Sequence, residues 1–208
     1  MPKAVPTEKN KHQVRTEETQ ARILDAAEAV FSENGFEKSQ LEEVAAQAGY
    51  TRGAIYAHYA SKEDLFLALV DQRVLTKLYA MRQAIEAEAE IAKRPAIFRR
   101  WLVTQASDHA WGTLMLEFKL YALRRPKSRE KLVHLYDLMA KSSGRDLIEL
   151  LFGRGLDKAA RSAVDRRLAI LGAIFSAVNL ESHFRPQLLS KQQLLVVLEE
   201  LFEALVLV

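Results

Sequence analysis

Residues 41–59, LEEVAAQAGYTRGAIYAHY, decide the fold. They read as a short helix, a tight turn at Gly49 and a second short helix opening at Thr51. Val44, Ala45 and Ala48 put apolar or small side chains on one face of the first helix. Ile55 and Tyr59, four apart, form the inward face of the second. Ala45 suits a steep helix crossing because a small side chain lets two backbones approach, and Gly49 accepts a positive φ without steric cost. The outward face of the second helix carries Thr51, Arg52, Ala54, Ala57 and His58, with no acid among them. Such a unit is a helix-turn-helix whose second helix is free to enter a DNA major groove.

The chain is 208 residues long, enough for one or two domains with a substantial core. It has no cysteine, which excludes disulfides, thiolate metal sites and cysteine nucleophiles. The first fifteen residues are polar and basic, unlike a secretory leader, and no apolar run reaches the roughly 18 residues of a membrane span. A cytoplasmic protein without membrane association is the expectation. The net charge of +3 says less than its distribution. Between Tyr50 and Lys62 the only formal charges are Arg52 and Lys62, with Glu42, Glu43, Glu63 and Asp64 flanking that window. A phosphate backbone would meet this local basic face.

Residues 1–14 read as a flexible basic arm, with Lys3, Lys9, Lys11 and two prolines. A first helix is expected from Thr16 to Asn34, with Ile23, Ala26, Ala27, Val30 and Phe31 as its inward stripe and Asn34-Gly35 as its close. Ser39 with Glu42 reads as the capping box of the second helix, and Ser61 with Asp64 repeats the pattern before a fourth helix from Lys62 to Ala92. Leu65, Phe66, Leu69 and Val70 pack that helix against the DNA-binding head. Beyond residue 95 the pattern is helix throughout. Pro95 opens a helix ending near Asp108, Trp111 to Leu123 form another, and Pro126 opens one running to Phe152. A helix from Arg161 to Phe184 stops before Pro186, and Ser190 caps the last, which ends near Val206. The fold class is all-α, with a helix-turn-helix domain at residues 15–62 and a helical regulatory and dimerisation domain at 63–208.

Residues 19–69 closely resemble the DNA-binding domain of the tetracycline-repressor (TetR) family, and the block AGYTRGAIYAHYASKEDLF is most similar to the efflux-pump repressors within it. Ala57 departs from the pattern, since many relatives carry a second aromatic there. The resemblance implies a homodimeric regulator, most simply a repressor, that binds a palindromic double-stranded operator and is released by a small hydrophobic effector. Thr51 offers a hydroxyl and nearby backbone N–H groups to a phosphate, and serves equally as an N-cap. Arg52 is the candidate for base readout, because guanidinium matches the O6/N7 edge of guanine. Gly53 costs the helix about 1 kcal/mol relative to alanine, a cost that close backbone approach to DNA would explain. Ala54 and Ala57 suit a thymine methyl, and Gln40 stands where helix two reaches the DNA backbone. Tyr56, His58 and Lys62 fall where the resemblance implies phosphate contacts.

The resemblance also implies an effector pocket among the middle helices. The aromatic and sulfur side chains there are Phe98, Trp101, Trp111, Met115, Phe118, Tyr121, Tyr136 and Met139, with Glu117, His109 and His134 as polar tips. Aromatic residues at helical spacing are most often plain core. The last two helices carry wide apolar faces. Leu171, Phe175 and Val178 on one, and Leu194, Leu198, Leu201, Phe202 and Leu205 on the other, read as a two-fold interface. His109, His134 and Asp137 are too few for a metal site, and the serines fall in caps or joints rather than in a nucleophile elbow. Neither a cofactor nor an enzyme is expected. The alternative is a DNA-binding dimer that answers to no ligand.

Overall fold

The computed structural model describes residues 11–106, 108–142, 147–153, 155, 157–187 and 190–206; the side chains of Met139 and Phe175 lie outside what it describes. All regular elements among the described residues are helices: α1 Lys11–Asn34, α2 Leu41–Ala48, α3 Arg52–Tyr56, α4 Lys62–Ala87, α5 Arg94–Ala106, α6 His109–Leu123, α7 Pro126–Ser142, α8 Leu147–Phe152, α9 Lys158–Phe184 and α10 Lys191–Val206. The all-α expectation holds. None of the described helices is long and apolar enough to cross a membrane. By contacts the chain divides into two units between Val70 and Asp71, so the first turns of α4 belong with the N-terminal helices.

Three boundaries differ from those expected. Helix α1 already runs from Lys11, so residues 11–14 are helical rather than part of an arm, while residues 1–10 lie outside the described residues. Nothing between Lys11 and Arg15 breaks a helix, and within it the Thr19 hydroxyl donates to the Arg15 carbonyl at 2.8 Å. The cap of α2 is one residue later than predicted. Ser39 is buried, and its Oγ donates to the Gly35 carbonyl at 2.6 Å. Gln40 takes the N-cap instead, its backbone N–H donating to Glu43 Oε2 at 3.0 Å. Helix α4 stops at Ala87 rather than Ala92, and the chain makes a short 3₁₀ turn at Ile91–Lys93. Of the helix expected from Pro126 to Phe152, α7 and α8 are described, and residues 143–146 between them lie outside the described residues.

In the N-terminal unit the predicted stripes form one core. Ile23, Ala27, Phe31, Val44, Ile55, Leu65, Phe66 and Val70 are fully buried, and Ala45 lies at the predicted crossing with 3% exposure. Phe36 completes it, with ring centroids of Phe31, Phe36 and Phe66 5.1–5.7 Å apart in tilted and edge-on pairs. Its partners come from α1, the loop after it and α4, so three segments meet on one aromatic cluster. In the second unit Met81, Ile85, Phe98, Leu150, Leu151, Leu171, Leu194, Leu198 and Phe202 form the core. Leu171, Leu194, Leu198 and Phe202, expected at a subunit interface, are fully buried inside the protomer, because α10 packs on both α9 and α5. Val178, Leu201 and Leu205 are only partly covered, and Phe175 lies outside the described side chains.

Phe36→Ala is expected to lower the stability of the N-terminal unit by about 3–5 kcal/mol in a denaturant titration. A loss below about 1 kcal/mol would mean that the aromatic cluster does not join the three segments.

Candidate nucleic-acid interface

Gly49 ends α2 in the left-handed region at φ 74°. The Tyr50 N–H reaches back to the Ala45 carbonyl at 2.9 Å and the Gly49 N–H to Ala46 at 3.2 Å, which closes the helix and turns the chain. Thr51 then caps α3, its Oγ1 accepting from the Ala54 N–H at 3.3 Å. Ile55 at 0% and Tyr59 at 8% exposure anchor the inward side. Burial pushes the Tyr59 phenol pKa up, as befits a core residue. With those two fixed inward, Thr51, Arg52, Gly53, Tyr56 and Ala57 stand exposed, and Ala54 and His58 are half-buried beside them. Gly53 meets nothing of the protein that a methyl would disturb, since an added Cβ would find only Thr51 Oγ1 at 3.8 Å. The fold therefore does not require glycine at 53.

Arg52 is tethered. It forms an ion pair with Glu42 on α2, donates to the Tyr56 hydroxyl at 3.2 Å, and lies 5.3 Å from the Tyr56 ring centroid. The Tyr56 hydroxyl and then Glu42 push the guanidinium pKa further up, so its charge is permanent. Gln40 is exposed at the N-cap of α2. Lys62 is placed differently from the other candidates. Its Nζ donates to the carbonyls of Glu37 and Ser39, both at 2.9 Å, and sits 4.9 Å from the Phe36 centroid. That contact fastens the loop before α2 onto the start of α4. One further cation escaped the sequence reading. The exposed Arg22 lies 5.3 Å from the Tyr50 centroid at the helix-turn-helix turn, where the Tyr50 hydroxyl meets Thr19 Oγ1 at 3.4 Å. Only its i, i+3 relation to Thr19 hinted at this, because Tyr50 is distant in sequence.

In the second unit the expected effector residues separate into groups. Phe98 stacks on Trp101 at 5.8 Å and meets Phe202 edge-on at 6.0 Å, which makes Phe98 core. Phe118 is fully buried and stacks on Tyr121 at 5.9 Å, with the Arg125 guanidinium 3.7 Å from the Tyr121 centroid. Trp111 and Met115 are half-buried on α6, Tyr136 is exposed on α7, and Met139 lies outside the described side chains. Of the polar tips, His109 packs edge-on against His183 at 4.9 Å, whereas Glu117 and His134 are exposed. Among the described residues no three His, Cys, Asp or Glu side chains converge as a metal site would need.

The start of α6 holds a charge cluster that sequence pattern did not reveal. Asp108 caps α6 by accepting from the Trp111 N–H at 3.3 Å. Its other oxygen takes Arg73 at 2.5 Å and Lys77 at 3.4 Å, both from α4. The Arg73 guanidinium lies 4.4 Å from the Trp111 centroid. Burial pushes the Asp108 pKa up, but Arg73, the Trp111 N–H and Lys77 outweigh it and hold the carboxyl below its ordinary value.

The chain is similar to known proteins. Residues 23–69 match the profile of bacterial regulatory proteins of the tetR family. The chain is 26% identical to the uncharacterized HTH-type transcriptional regulator YfiR of Bacillus subtilis over 163 residues, 77% of this chain and 76% of that protein. It is 45% identical to the HTH-type transcriptional repressor BepR of Brucella suis over 67 residues, which is 32% of each chain. The fold is similar to that of the transcriptional regulator FadR of Bacillus subtilis, solved with stearoyl-CoA, at a TM-score of 0.58 and 22% identity over 89% of this chain and 97% of that one.

The Asp108 cluster carries a pH signature. Its folded pKa lies below the unfolded value of about 3.9, so its stabilisation is complete above that value and is lost as pH falls through the folded one. Asp108→Asn keeps a cap but loses the charge, so its deficit in melting temperature should shrink between about pH 6 and about pH 3. A deficit that stays constant across that range would show that the ion pair is not its source.

Proposed function

The chain is a transcriptional regulator of the TetR family, and on that premise we propose that it binds a palindromic double-stranded operator as a homodimer, represses from it, and leaves it when a small hydrophobic effector binds. The observation that carries this is the exposed face of α3. Its one arginine is held with its guanidinium over Tyr56, and its one glycine is not required by internal packing. Arg52 reads a guanine edge, and Gly53 lets the backbone approach. Thr51, Tyr56, His58 and Gln40 contact phosphates, and Ala54 and Ala57 meet thymine methyls. Arg22 adds a phosphate contact. Lys62 keeps its proposed phosphate role only through whatever donor capacity remains beyond two carbonyls.

The dimer reading is supported by apolar surface that the protomer leaves open on its last two long helices. Val178, Leu201 and Leu205 are partly covered, and Ile170 and Val196 are each 53% exposed. Pairing across a two-fold axis would present two recognition helices about 34–36 Å apart, as successive major grooves require. The effector is proposed to lie against the half-buried Trp111, Met115 and Tyr121, near Tyr136. A hydrophobic ligand suits that lining, and stearoyl-CoA in FadR is one precedent for a ligand with a long apolar chain. Its effect on DNA binding requires that it bind one conformation better than the other. Helix α4 is the natural carrier, because it is continuous across the division between the units and its Arg73 and Lys77 grip the start of α6.

Selection from random duplexes should return a palindrome. Arg52→Ala should weaken binding to it by roughly five- to hundred-fold and relax preference at one position per half-site. A palindrome bound unchanged by Arg52→Ala would remove Arg52 from base readout.

A further inference from the structure

Glu42 is an acid of the first turn of α2 that does not cap the helix. The cap of α2 takes Glu43, whose carboxylate accepts the Gln40 N–H at 3.0 Å. Glu42, one residue earlier, pairs instead with Arg52 across the turn. Both partners are well exposed, at 49% and 58% of their side chains. Solvent-screened pairs of this kind contribute little to stability. A carboxylate in that first turn suits the positive end of α2, but this does not require it to sit on the cation of the recognition helix. Between Tyr50 and Lys62 the sequence supplies two formal charges, Arg52 and Lys62, and the Lys62 ammonium is drawn onto the carbonyls of Glu37 and Ser39. The charge that α3 itself offers to DNA is thus neutralised before DNA arrives.

We propose that Glu42 is a specificity-determining residue acting through Arg52: its carboxylate stays paired with the guanidinium, cancelling its attraction to the phosphates of any duplex, while the remaining donors of the same guanidinium reach a guanine edge in the operator. This rests on α3 being the recognition helix. Guanidinium presents five donors in a planar fork. Nη2 gives one of them to Tyr56 and Nη1 pairs with Glu42, which leaves a further donor on each terminal nitrogen for an incoming acceptor. A guanine in register offers two fixed acceptors that match those donors. Phosphates offer mainly Coulombic attraction, and Glu42 opposes that by occupying the cation and by holding its own negative charge beside them. A neutral pair releases no counterion, so a random duplex gains nothing from Arg52. The operator gains a bidentate contact. Glu42 acts as a positioning residue that raises the ratio of specific to non-specific binding at little cost to the specific complex.

The test measures binding of the full chain to its selected operator and to a scrambled duplex, across a salt series, for the wild type, Glu42→Gln, Arg52→Ala and the double variant. Glu42→Gln should tighten scrambled-duplex binding about two- to five-fold. It should steepen that duplex's log–log salt slope by about 0.9 per protomer, and leave operator affinity within about two-fold, so the specificity ratio falls. In the Arg52→Ala background the same change should leave the ratio untouched. Equal tightening on both duplexes in both backgrounds would overturn the proposal, because Glu42 would then act by bare charge. Loss of operator affinity with the scrambled duplex unchanged would also overturn it, because Glu42 would then contact a base. A wild type with no sequence preference would instead remove the underlying recognition reading, a failure visible before any variant is compared.

Discussion

A helix of five residues cannot sustain itself in water, because helix nucleation fixes several residues before propagation repays it. Helix α3 therefore exists only as long as its surroundings impose it. Three constraints do so. Gly49 turns the chain in the left-handed region, Thr51 satisfies the first free N–H, and Ile55 and Tyr59 are held in the core. Each fixes a different degree of freedom: the direction of entry, the start of the helix and its rotation about its own axis. Once rotation is fixed, the outward residues have no choice of face. The aromatic cluster of Phe31, Phe36 and Phe66 serves the same end one layer deeper, since it brings α1 and α4 together around the site where α3 docks.

Two arginines in this chain are built alike and differ in use. Arg52 and Arg73 each lie against an aromatic ring and pair with a carboxylate from another helix or helix start. Exposure separates them. Arg52 is 58% exposed, where water and salt weaken the pair and its remaining donors stay open to another acceptor. Arg73 is 18% exposed and shares Asp108 with Lys77 and a capped helix start, so breaking that pair strands charges that water reaches poorly. The first suits recognition, where donors must stay open to DNA. The second suits a joint, where α4 must follow α6.

Much of the N-terminal unit was legible because local chemistry and burial agree there. The Ala45 crossing, the Gly49 turn, the Thr51 cap and the inward pair Ile55 and Tyr59 are all written at short range. The cap of α2 was misread by one residue, because Ser39 and Gln40 both offer plausible caps and the choice depends on Ser39 being drawn into the loop toward Gly35. Phe36, Arg22 and the Lys62 clamp are long-range pairings that no periodicity encodes. The last helices taught a different lesson. Apolar spacing correctly marked Leu171, Leu194, Leu198 and Phe202 as buried, but spacing cannot tell an own core from a partner's surface. The aromatic residues of the middle helices divided for the same reason into core, such as Phe118, and half-open side chains, such as Trp111.

The central claim is that Arg52 reads guanine in a major groove, twice, across a two-fold axis. Interference by guanine N7 methylation tests it directly, because a methyl there blocks one acceptor of the bidentate contact without altering the phosphates. The account predicts interference at one guanine in each half-site, the two about one helical turn apart, and its disappearance in Arg52→Ala. Binding that tolerates N7 methylation everywhere, and responds only to phosphate ethylation, would contradict it.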